Sequence, residues 1–404
     1  MITESDLEDY PGMMLRNGDG SNSLRAYHAR YPKTEEQGGY NNLQYLVASR
    51  EDYIARTKGS RAFPWRCLII SERDAGLAVS DLVYQLAAPS RIGDSSWVKP
   101  GKVAWEWWNA WGLRNVGFEP GVNDATYEYY IDFASRYGIE YVILDEGWAV
   151  NRQADLFQVV PEINLPHLVG YANERNVGLV LWAGYAAMDK DMEKVCRHYS
   201  DMGIKGFKVD FMDRDDQKTV DFYYRMAETA ARYHLLVDFH GAYKPTGMNC
   251  TYPNVLNVEG VFGLEQVKWS NDCDLVTYET TIPFIRMVAG PMDFTQGAMK
   301  NASQTHFKAD YGVPMSQGTR CVSLPNMSFL KHLSACCAIA RAITWRKRRA
   351  CSVWRGFQRL GMKRWCWTAR WENMPWLRGR KTSSGILVPL PIGRNATWFL
   401  TSHP

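Results

Sequence analysis

The chain has 404 residues, enough for one large α/β domain or for a barrel with an accessory domain. Hydrophobic residues make up 46% and charged residues 22%, as in ordinary globular proteins, and no apolar run reaches the roughly 18 residues of a membrane helix. The first residues are acidic and polar, unlike a signal peptide, and four scattered cysteines before residue 320 predict neither a disulfide framework nor a zinc site.

The formal net charge of +4 hides two regions of opposite charge. Residues 321–404 hold 15 Lys and Arg and a single acid, Glu372, which leaves 32 basic and 42 acidic residues in 1–320. A basic arm for nucleic acid, centred on Arg346–Arg349, is one interpretation. The same region holds seven of the 16 Trp and five of the nine Cys, a density that such arms rarely have. We therefore predict no nucleic-acid partner.

The first hundred residues are predicted to be rich in β structure. The runs 43–47 and 65–71 have the β-branched and aromatic composition of strands, and Gly38 and Gly39 mark a turn before the first of them. The segment 89–102 is rich in Pro, Ser and Gly and is predicted to be a linker.

From residue 101 the pattern changes to strands that alternate with helices about every 30 residues. Strands are predicted at 103–107, 141–144, 177–182, 207–211, 235–239, 255–258 and 290–294. Helices are predicted at 125–137, 166–176, 189–202, 215–233 and 281–288. Such alternation favours parallel βαβ units, and seven strands suggest a (β/α)₈ TIM-type barrel that lacks its last strand.

Polar residues follow most of the predicted barrel strands, at the end where barrel enzymes carry their chemistry. They are Glu106, Asp145, Glu146, Trp182, Asp210, His240, Glu259 and Asp293. Any one of these acids is readily explained as a cap or an ion pair, but so many carboxylates at one opening repel each other unless substrate, protons or a cation offset the charge. With the nearby tryptophans, this set predicts a carbohydrate site. The predicted substrate contacts are Asp145, Glu146, Trp148, Trp182, Lys208 and His240.

Two carboxyls fit the opposed roles that glycoside hydrolysis requires. Asp210 lies two residues after Lys208 on one strand, and a nearby ammonium favours an ionised carboxylate that can act as nucleophile. Glu265 lies in a glycine-containing loop, where a carboxyl could reach over the leaving group.

Residues 102–320 resemble the catalytic domain of glycoside hydrolase family 97, a family of calcium-dependent, exo-acting α-glycosidases. The segments that carry the resemblance occur in order at 104–108, 129–134, 141–148, 206–213, 244–247, 251–254, 257–260 and 290–293. Residues 1–100 resemble the C-terminal part of the family's N-terminal β-sandwich. We therefore expect a partial β-sandwich and linker in 1–100, the barrel in 101–320 and an anomalous region in 321–404.

The resemblance implies a role for several positions. Asp210 matches the nucleophile of the retaining members, and Glu265 matches their catalytic acid and base. Glu259 and Glu265 match glutamates that bind calcium or lie beside it, and Glu4 looks like a further calcium ligand from the sandwich. Inverting members have glutamates where this chain has Gly241 and the Trp182–Gly184 segment. The pattern is therefore the retaining one, which implies an α-galactosidase.

Calcium also suits the residues themselves, because it takes six to eight oxygen ligands and the acidic opening lacks Cys and His clusters. The implied partner is an oligosaccharide or polysaccharide with a terminal α-linked sugar. An α-glucosidase of the same family and an inactive carbohydrate-binding fragment are the alternatives. Members that resemble the chain are periplasmic or secreted.

The resemblance stops after Cys321, and apolar and basic residues mix without helical periodicity beyond it. We interpret 321–404 as a region read out of frame, a hypothesis that resequencing the locus would test. A barrel without its eighth strand has open edges on its first and seventh strands, so we expect poor solubility or inactivity of the chain as written.

Overall fold

The structure, a computed structural model, describes residues 1–17, 22–150, 152–296, 298 and 300–319, and the backbone of three short strands at 334–337, 376–378 and 387–389. Apart from those strands, the region predicted to be out of frame lies outside the described residues. Within the described part of the chain, no helix is long and apolar enough to span a membrane.

Three two-stranded antiparallel sheets form the N-terminal part. Their strands are β1 (Ile2–Ser5), β2 (Met13–Asn17), β3 (Leu24–His28), β4 (Pro32–Gly38), β5 (Gln44–Arg50) and β6 (Trp65–Leu68), and two short helices follow, α1 (Asp74–Ala78) and α2 (Leu82–Gln85). The pairs are β1 with β6, β2 with β3 and β4 with β5. The two predicted strands correspond to β5 and β6, and the predicted β character of this part is confirmed.

A curled parallel sheet forms the second part. Its first six strands are β7 (Gly101–Trp105), β8 (Tyr141–Leu144), β9 (Gly178–Gly184), β10 (Gly206–Asp210), β11 (Leu236–Phe239) and β12 (Val255–Val258), adjacent in chain order. The helices are α3 (Asp124–Tyr137), α4 (Leu165–Glu174), α5 (Tyr185–Met202), α6 (Gln217–Arg232), α7 (Met248–Thr251) and α8 (Leu275–Ile285). This is the incomplete TIM-type barrel that the sequence predicts.

The remaining strands are short. They are β13 (Asn301–Ala302), β14 (Ser316–Gln317), β15 (Ser334–Cys337), β16 (Trp376–Arg378) and β17 (Leu387–Pro389). Strand β15 pairs in parallel with β7, as Ser334 lies opposite Gly101 and Cys337 opposite Ala104. The expected open edge on the first barrel strand is therefore wrong, because β15 covers it and becomes the edge strand of the sheet in its place. The expected poor solubility stays a prediction.

The prediction of a seventh strand at 290–294 is also wrong. Gly290 has a φ of 136°, and Pro291 has no backbone N–H to donate to a neighbouring strand. The segment instead crosses the end of β12, where the Asp293 N–H lies 3.4 Å from the Val258 carbonyl oxygen. Its irregular course brings Asp293 toward His240.

Two apolar cores lie on the two faces of the sheet because side chains alternate along a strand. On β8, Val142 and Leu144 pack toward the helices, whereas Tyr141 and Ile143 pack inside the curl. The amphipathic helix α6 covers the outer face and buries Val220, Tyr223 and Tyr224 against it. Both cores extend to the carboxyl ends of the strands, where Leu144 ends β8 and Trp105 ends β7, so the polar residues that follow lie next to packed side chains.

Candidate active site

The carboxyl ends of the barrel strands carry five polar residues. Glu106 follows β7, Asp145 follows β8, Asp210 ends β10, His240 follows β11 and Glu259 follows β12. Because the strands are parallel, these ends lie at one edge of the sheet.

Asp210 is fixed through both of its carboxylate oxygens. The Trp182 indole N–H donates to Oδ2 at 3.1 Å, and the Phe211 backbone N–H donates to Oδ1 at 2.8 Å. Phe211 has a φ of 69°, a conformation that costs energy for a non-glycine residue. The chain thus bends sharply after β10 and holds a partly exposed carboxylate at the opening of the half-barrel.

Gly241 packs against this carboxylate, and Gly184 lies opposite Asp210 on the neighbouring strand β9. Gly241 has a φ of 52°, and a Cβ there would lie 3.1 Å from Asp210 Oδ1 and 2.8 Å from the Phe211 nitrogen. A Cβ on Gly184 would lie 2.6 Å from the Leu43 Cβ. A glutamate at either position would require its neighbours to move. The packing around both glycines therefore leaves no room for the glutamates that the resemblance assigns to inverting members.

Replacing Gly241 with alanine is expected to lower kcat about tenfold and the free energy of unfolding by about 1–2 kcal/mol. The methyl group would displace the Asp210 carboxylate, and a non-glycine residue is strained at this φ. Steady-state kinetics and urea unfolding measure the two effects. Gly93→Ala is the matched control because no atom lies within 4 Å of its Cβ position. Equal effects of the two substitutions would contradict the packing argument.

His240, Glu259 and Glu265 form a group whose potential ligand atoms all lie within 4.8 Å of one another. Glu265 is the second residue of a 3₁₀ turn, Leu264–Lys268, and hydrogen-bonds to Glu259. Glu259 also accepts the Gly241 backbone N–H at 2.7 Å. Burial raises the pKa of Glu259 well above its usual range, and the adjacent Glu265 and Asp210 carboxylates add to that rise. Such a carboxylate cluster can hold a cation.

A second cluster lies deeper, around the other side of the His240 ring. Its Nε2 lies 2.8 Å from Asp293 Oδ2 and 3.7 Å from Asp238 Oδ2. Burial and Lys208 lower the pKa of His240, but the surrounding carboxylates, Glu259 among them, outweigh both and raise it well above its usual value. Burial and the neighbouring Asp293 raise the pKa of Asp238 to about 8. Sequence reasoning missed Asp238, although it lies two residues before His240, a spacing that places two side chains of a strand on the same face.

Lys208 pairs with a different carboxylate from the one predicted. Its Nζ donates to Asp145 Oδ2 at 2.8 Å, and the Trp105 indole N–H donates to the same oxygen at 2.6 Å. Both charged groups are buried. The nearby Glu106 carboxyl accepts the Asp145 N–H, and burial together with Asp145 raises its pKa to about 8. Lys208 therefore orients Asp145, which corrects the expected pairing with Asp210.

The predicted tryptophan contacts divide into two positions. Trp182 lies beneath Asp210, with its ring edge-on to Phe211. Trp148 is only 1% exposed and donates its indole N–H to the Trp182 carbonyl oxygen. Trp148 thus packs in the core and supports Trp182, and its predicted role as a substrate contact stays a prediction. Glu146 remains at the opening, where Asn41 of the N-terminal part donates to its Oε1 at 2.6 Å.

Glu4, the further predicted metal ligand, binds two cationic side chains in the structure, and its role as a ligand stays a prediction. Its carboxylate is fully buried and binds Arg66 Nη1 and Lys244 Nζ, each at 2.6 Å. It also accepts the Met13 backbone N–H. Two cations already neutralise this carboxylate, so here Glu4 joins the N-terminal sheet to the barrel rather than the cluster of Glu259 and Glu265.

A curled parallel half-barrel with strand-end carboxylates and indoles among them defines a barrel-type glycoside hydrolase. The family model described as Glycoside hydrolase 97 matches residues 107–261, and the one described as Glycosyl-hydrolase 97 N-terminal matches 1–89. The chain belongs to glycoside hydrolase family 97.

Two curated relatives are similar in sequence. A retaining alpha-galactosidase of Bacteroides thetaiotaomicron is 61% identical over 324 residues, which cover 80% of this chain and 49% of the relative. A probable retaining alpha-galactosidase of Streptomyces bingchenggensis is 34% identical over 267 residues, which cover 65% of this chain and 40% of the relative. The chain thus spans half or less of the length of these relatives.

Solved structures share the fold. A glycoside hydrolase family 97 enzyme of Pseudoalteromonas sp. strain K8 in complex with acarbose has a TM-score of 0.74 and 24% identity, covering 88% of this chain and 55% of that one. A beta-arabinopyranosidase has a TM-score of 0.67 and 21% identity, covering 88% of this chain and 54% of that one.

Proposed function

We propose that the chain is a retaining, exo-acting α-galactoside hydrolase. The observation that carries the proposal is the Asp210 carboxylate, fixed by Trp182 and Phe211 with Gly241 packed against it, at the same barrel edge as Glu265. A nucleophile has to be oriented before the substrate arrives, and the two N–H donors provide this orientation.

The reaction has two steps. Asp210 attacks the anomeric carbon, the glycosidic bond breaks, and Glu265 gives its proton to the leaving oxygen. Glu265 then takes a proton from water, the water oxygen attacks the same carbon, and the bond to Asp210 breaks. Two inversions retain the configuration.

The preference for galactosides rests on the relative at 61% identity, whose name is retaining alpha-galactosidase. Lys208, Asp145 and Glu146 lie at the opening or just beneath it and are the proposed contacts for sugar hydroxyls, with Trp182 and His240. Charged groups that are held by each other and by indoles form a rigid pattern of donors and acceptors, which suits a sugar with several hydroxyls.

We further propose that Glu259 and Glu265 hold a calcium ion. The donor set fits, because adjacent carboxylate oxygens are calcium ligands and Glu259 is in a setting that disfavours its charged form without a cation. When bound, the ion supplies a positive charge that orients Glu265 and can bind a sugar hydroxyl.

Replacing Glu259 with glutamine is expected to weaken calcium binding by about tenfold or more and to lower kcat, with the barrel still folded, because the amide removes a negative ligand. Calorimetric titration with Ca²⁺, kinetics and circular dichroism measure the three effects. The exposed Glu228→Gln on α6 is the control. Full activity after exhaustive chelation, with no calcium found by elemental analysis, would exclude the proposal.

The sugar is tested by comparing hydrolysis of nitrophenyl α-galactoside and nitrophenyl α-glucoside by the 404-residue chain, with calcium and with a chelator. Faster hydrolysis of the galactoside supports the proposal, and faster hydrolysis of the glucoside makes the chain an α-glucosidase. Binding without hydrolysis of either compound would identify a carbohydrate-binding protein instead.

A further inference from the structure

A buried lysine joins the turn that carries Glu265 to the segment that follows β7. Lys268 ends this turn, is 2% exposed, and donates to the carbonyl oxygens of Trp107 at 2.8 Å and Trp108 at 2.7 Å. Its Nζ lies 4.0 Å from the Trp107 ring centroid and 4.2 Å from that of Tyr311. Two carbonyl oxygens and two ring faces thus surround the Lys268 nitrogen and fix its position, and burial lowers its pKa to about 7. Sequence reasoning missed this lysine.

The rings around Lys268 continue outward to the surface. Trp107 meets Trp269 edge-on at 6.2 Å and Tyr311 edge-on at 5.8 Å. Trp269 and Tyr311 are each 50% exposed. We call Trp107, Trp269 and Tyr311 the aromatic platform.

Hydrogen bonds hold the platform in one arrangement. The Trp269 indole N–H donates to Gln266 Oε1 at 3.0 Å, and the Ala309 backbone N–H donates to Asn271 Oδ1 at 2.8 Å, which ties the loops that carry Trp269 and Tyr311. An exposed ring already held in place binds the C–H face of a sugar with little loss of side-chain entropy.

The platform adjoins the predicted acid rather than the predicted nucleophile. Trp269 lies four residues after Glu265, and the Lys268 contacts fix this turn against Trp107. The acid has to reach the leaving oxygen, so the leaving-group sugar must lie on the side of Glu265. Burial raises the pKa of Tyr311, and the charges of Asp145 and Glu265 are among the groups that add to this, in keeping with a ring beside the opening.

We propose that Trp269 and Tyr311, positioned by Lys268 and Trp107, form the binding site for the sugar on the leaving-group side of the scissile bond. The inference rests on the proposed function and adds to it the part of the surface that selects the leaving group. The ligand class is a hexose α-linked to a terminal galactose, whose apolar face stacks on the exposed rings.

The test measures binding of two sugars by calorimetry in the full chain with Asp210→Asn, which blocks turnover. Galactose occupies only the inner position, whereas α-galactosyl-1,6-glucose also reaches the platform. Trp269→Ala and Tyr311→Ala are each expected to weaken binding of the disaccharide by about tenfold, the value of one stacked ring, and to leave galactose binding within about twofold. Tyr311→Phe keeps the ring and is expected to bind both sugars normally.

Trp65→Ala is the matched control, because Trp65 is 53% exposed on β6 of the N-terminal sheet. Unchanged disaccharide binding in both alanine variants, with galactose still bound, would contradict the proposed role of the aromatic platform and leave the proposed function intact. Equal loss of both sugars would also overturn it, because the rings would then support the inner site. If the chain without platform substitutions binds neither sugar, that result contradicts both the proposed function and the proposed role of the aromatic platform.

Discussion

Replacing Asp210 with alanine is expected to lower kcat/KM for an α-galactoside by more than about 10³-fold, because Asp210 is the group proposed to form the bond to the anomeric carbon. The substitution leaves the Trp182 indole N–H and the Phe211 N–H facing an empty space at the end of β10. Azide is small and anionic, so it can enter this space and attack the anomeric carbon directly. Added azide is therefore expected to restore consumption of a nitrophenyl α-galactoside and to give a glycosyl azide of inverted configuration.

The matched control is Asp221→Ala, which removes a carboxylate from the exposed face of α6 and is expected to leave kinetics unchanged. Proton NMR of the first product from the unaltered chain gives the stereochemistry independently. A β-sugar as the first product from an α-glycoside would contradict both the nucleophile and the retaining mechanism. Retained activity in Asp210→Ala without azide would contradict the nucleophile alone.

The positions of the site residues along the fold follow from the sequence. Asp145 and Glu259 each come directly after a mainly apolar run of four residues, and the structure begins and ends those strands, β8 and β12, where the pattern predicts. Parallel strands bring their carboxyl ends to one edge of the sheet, so the sequence pattern is enough to predict that these acids lie near one another. The strand order of a βαβ chain is local, which is why this level of the fold is predictable.

The partners of these residues do not follow from the sequence. Lys208 lies opposite Trp182 on one neighbouring strand and Asp238 on the other, yet its ammonium reaches Asp145, two strands away. The reach of a long side chain across a curled sheet depends on curvature and rotamer, which composition does not encode. Glu4 is a similar case, because its partners Arg66 and Lys244 come from segments far apart in the chain.

Replacing Arg286 with alanine is expected to lower the free energy of unfolding by about 4 kcal/mol. The side chain is 8% exposed, and burial lowers its pKa only to about 10, so it remains a cation at neutral pH. Its three nitrogens donate at 2.8–3.1 Å to the carbonyl oxygens of Val258, Glu259, Gly260, Gly290 and Pro291. Truncation leaves five carbonyl oxygens without their charged donor. Each such hydrogen bond contributes about 1.5–3 kcal/mol to stability, and water that binds the freed oxygens, together with relaxation of the loops, recovers part of the loss.

Urea unfolding followed by tryptophan fluorescence measures this loss. The control is Arg225→Ala, because Arg225 lies on the exposed face of α6 in ion pairs with Asp189 and Asp221, and surface pairs contribute about 0–1 kcal/mol. Equal losses in the two variants would contradict the view that Arg286 holds the loops together.

The same arginine connects stability to the site. The carbonyl oxygens that it binds belong to two segments, the end of β12 with Glu259 and the irregular stretch with Asp293. His240 lies between the side chains of these two acids, so a shift of either segment changes both carboxylate clusters. Arg286→Lys keeps the charge but replaces a planar fork by one nitrogen that cannot reach all five oxygens. It is therefore expected to lose about half of the stability that alanine loses, and to weaken calcium binding at a urea concentration where the barrel is still fully folded. Calcium affinity equal to that of the unaltered chain would show that Glu259 is held by its own contacts with Gly241 and Glu265 instead.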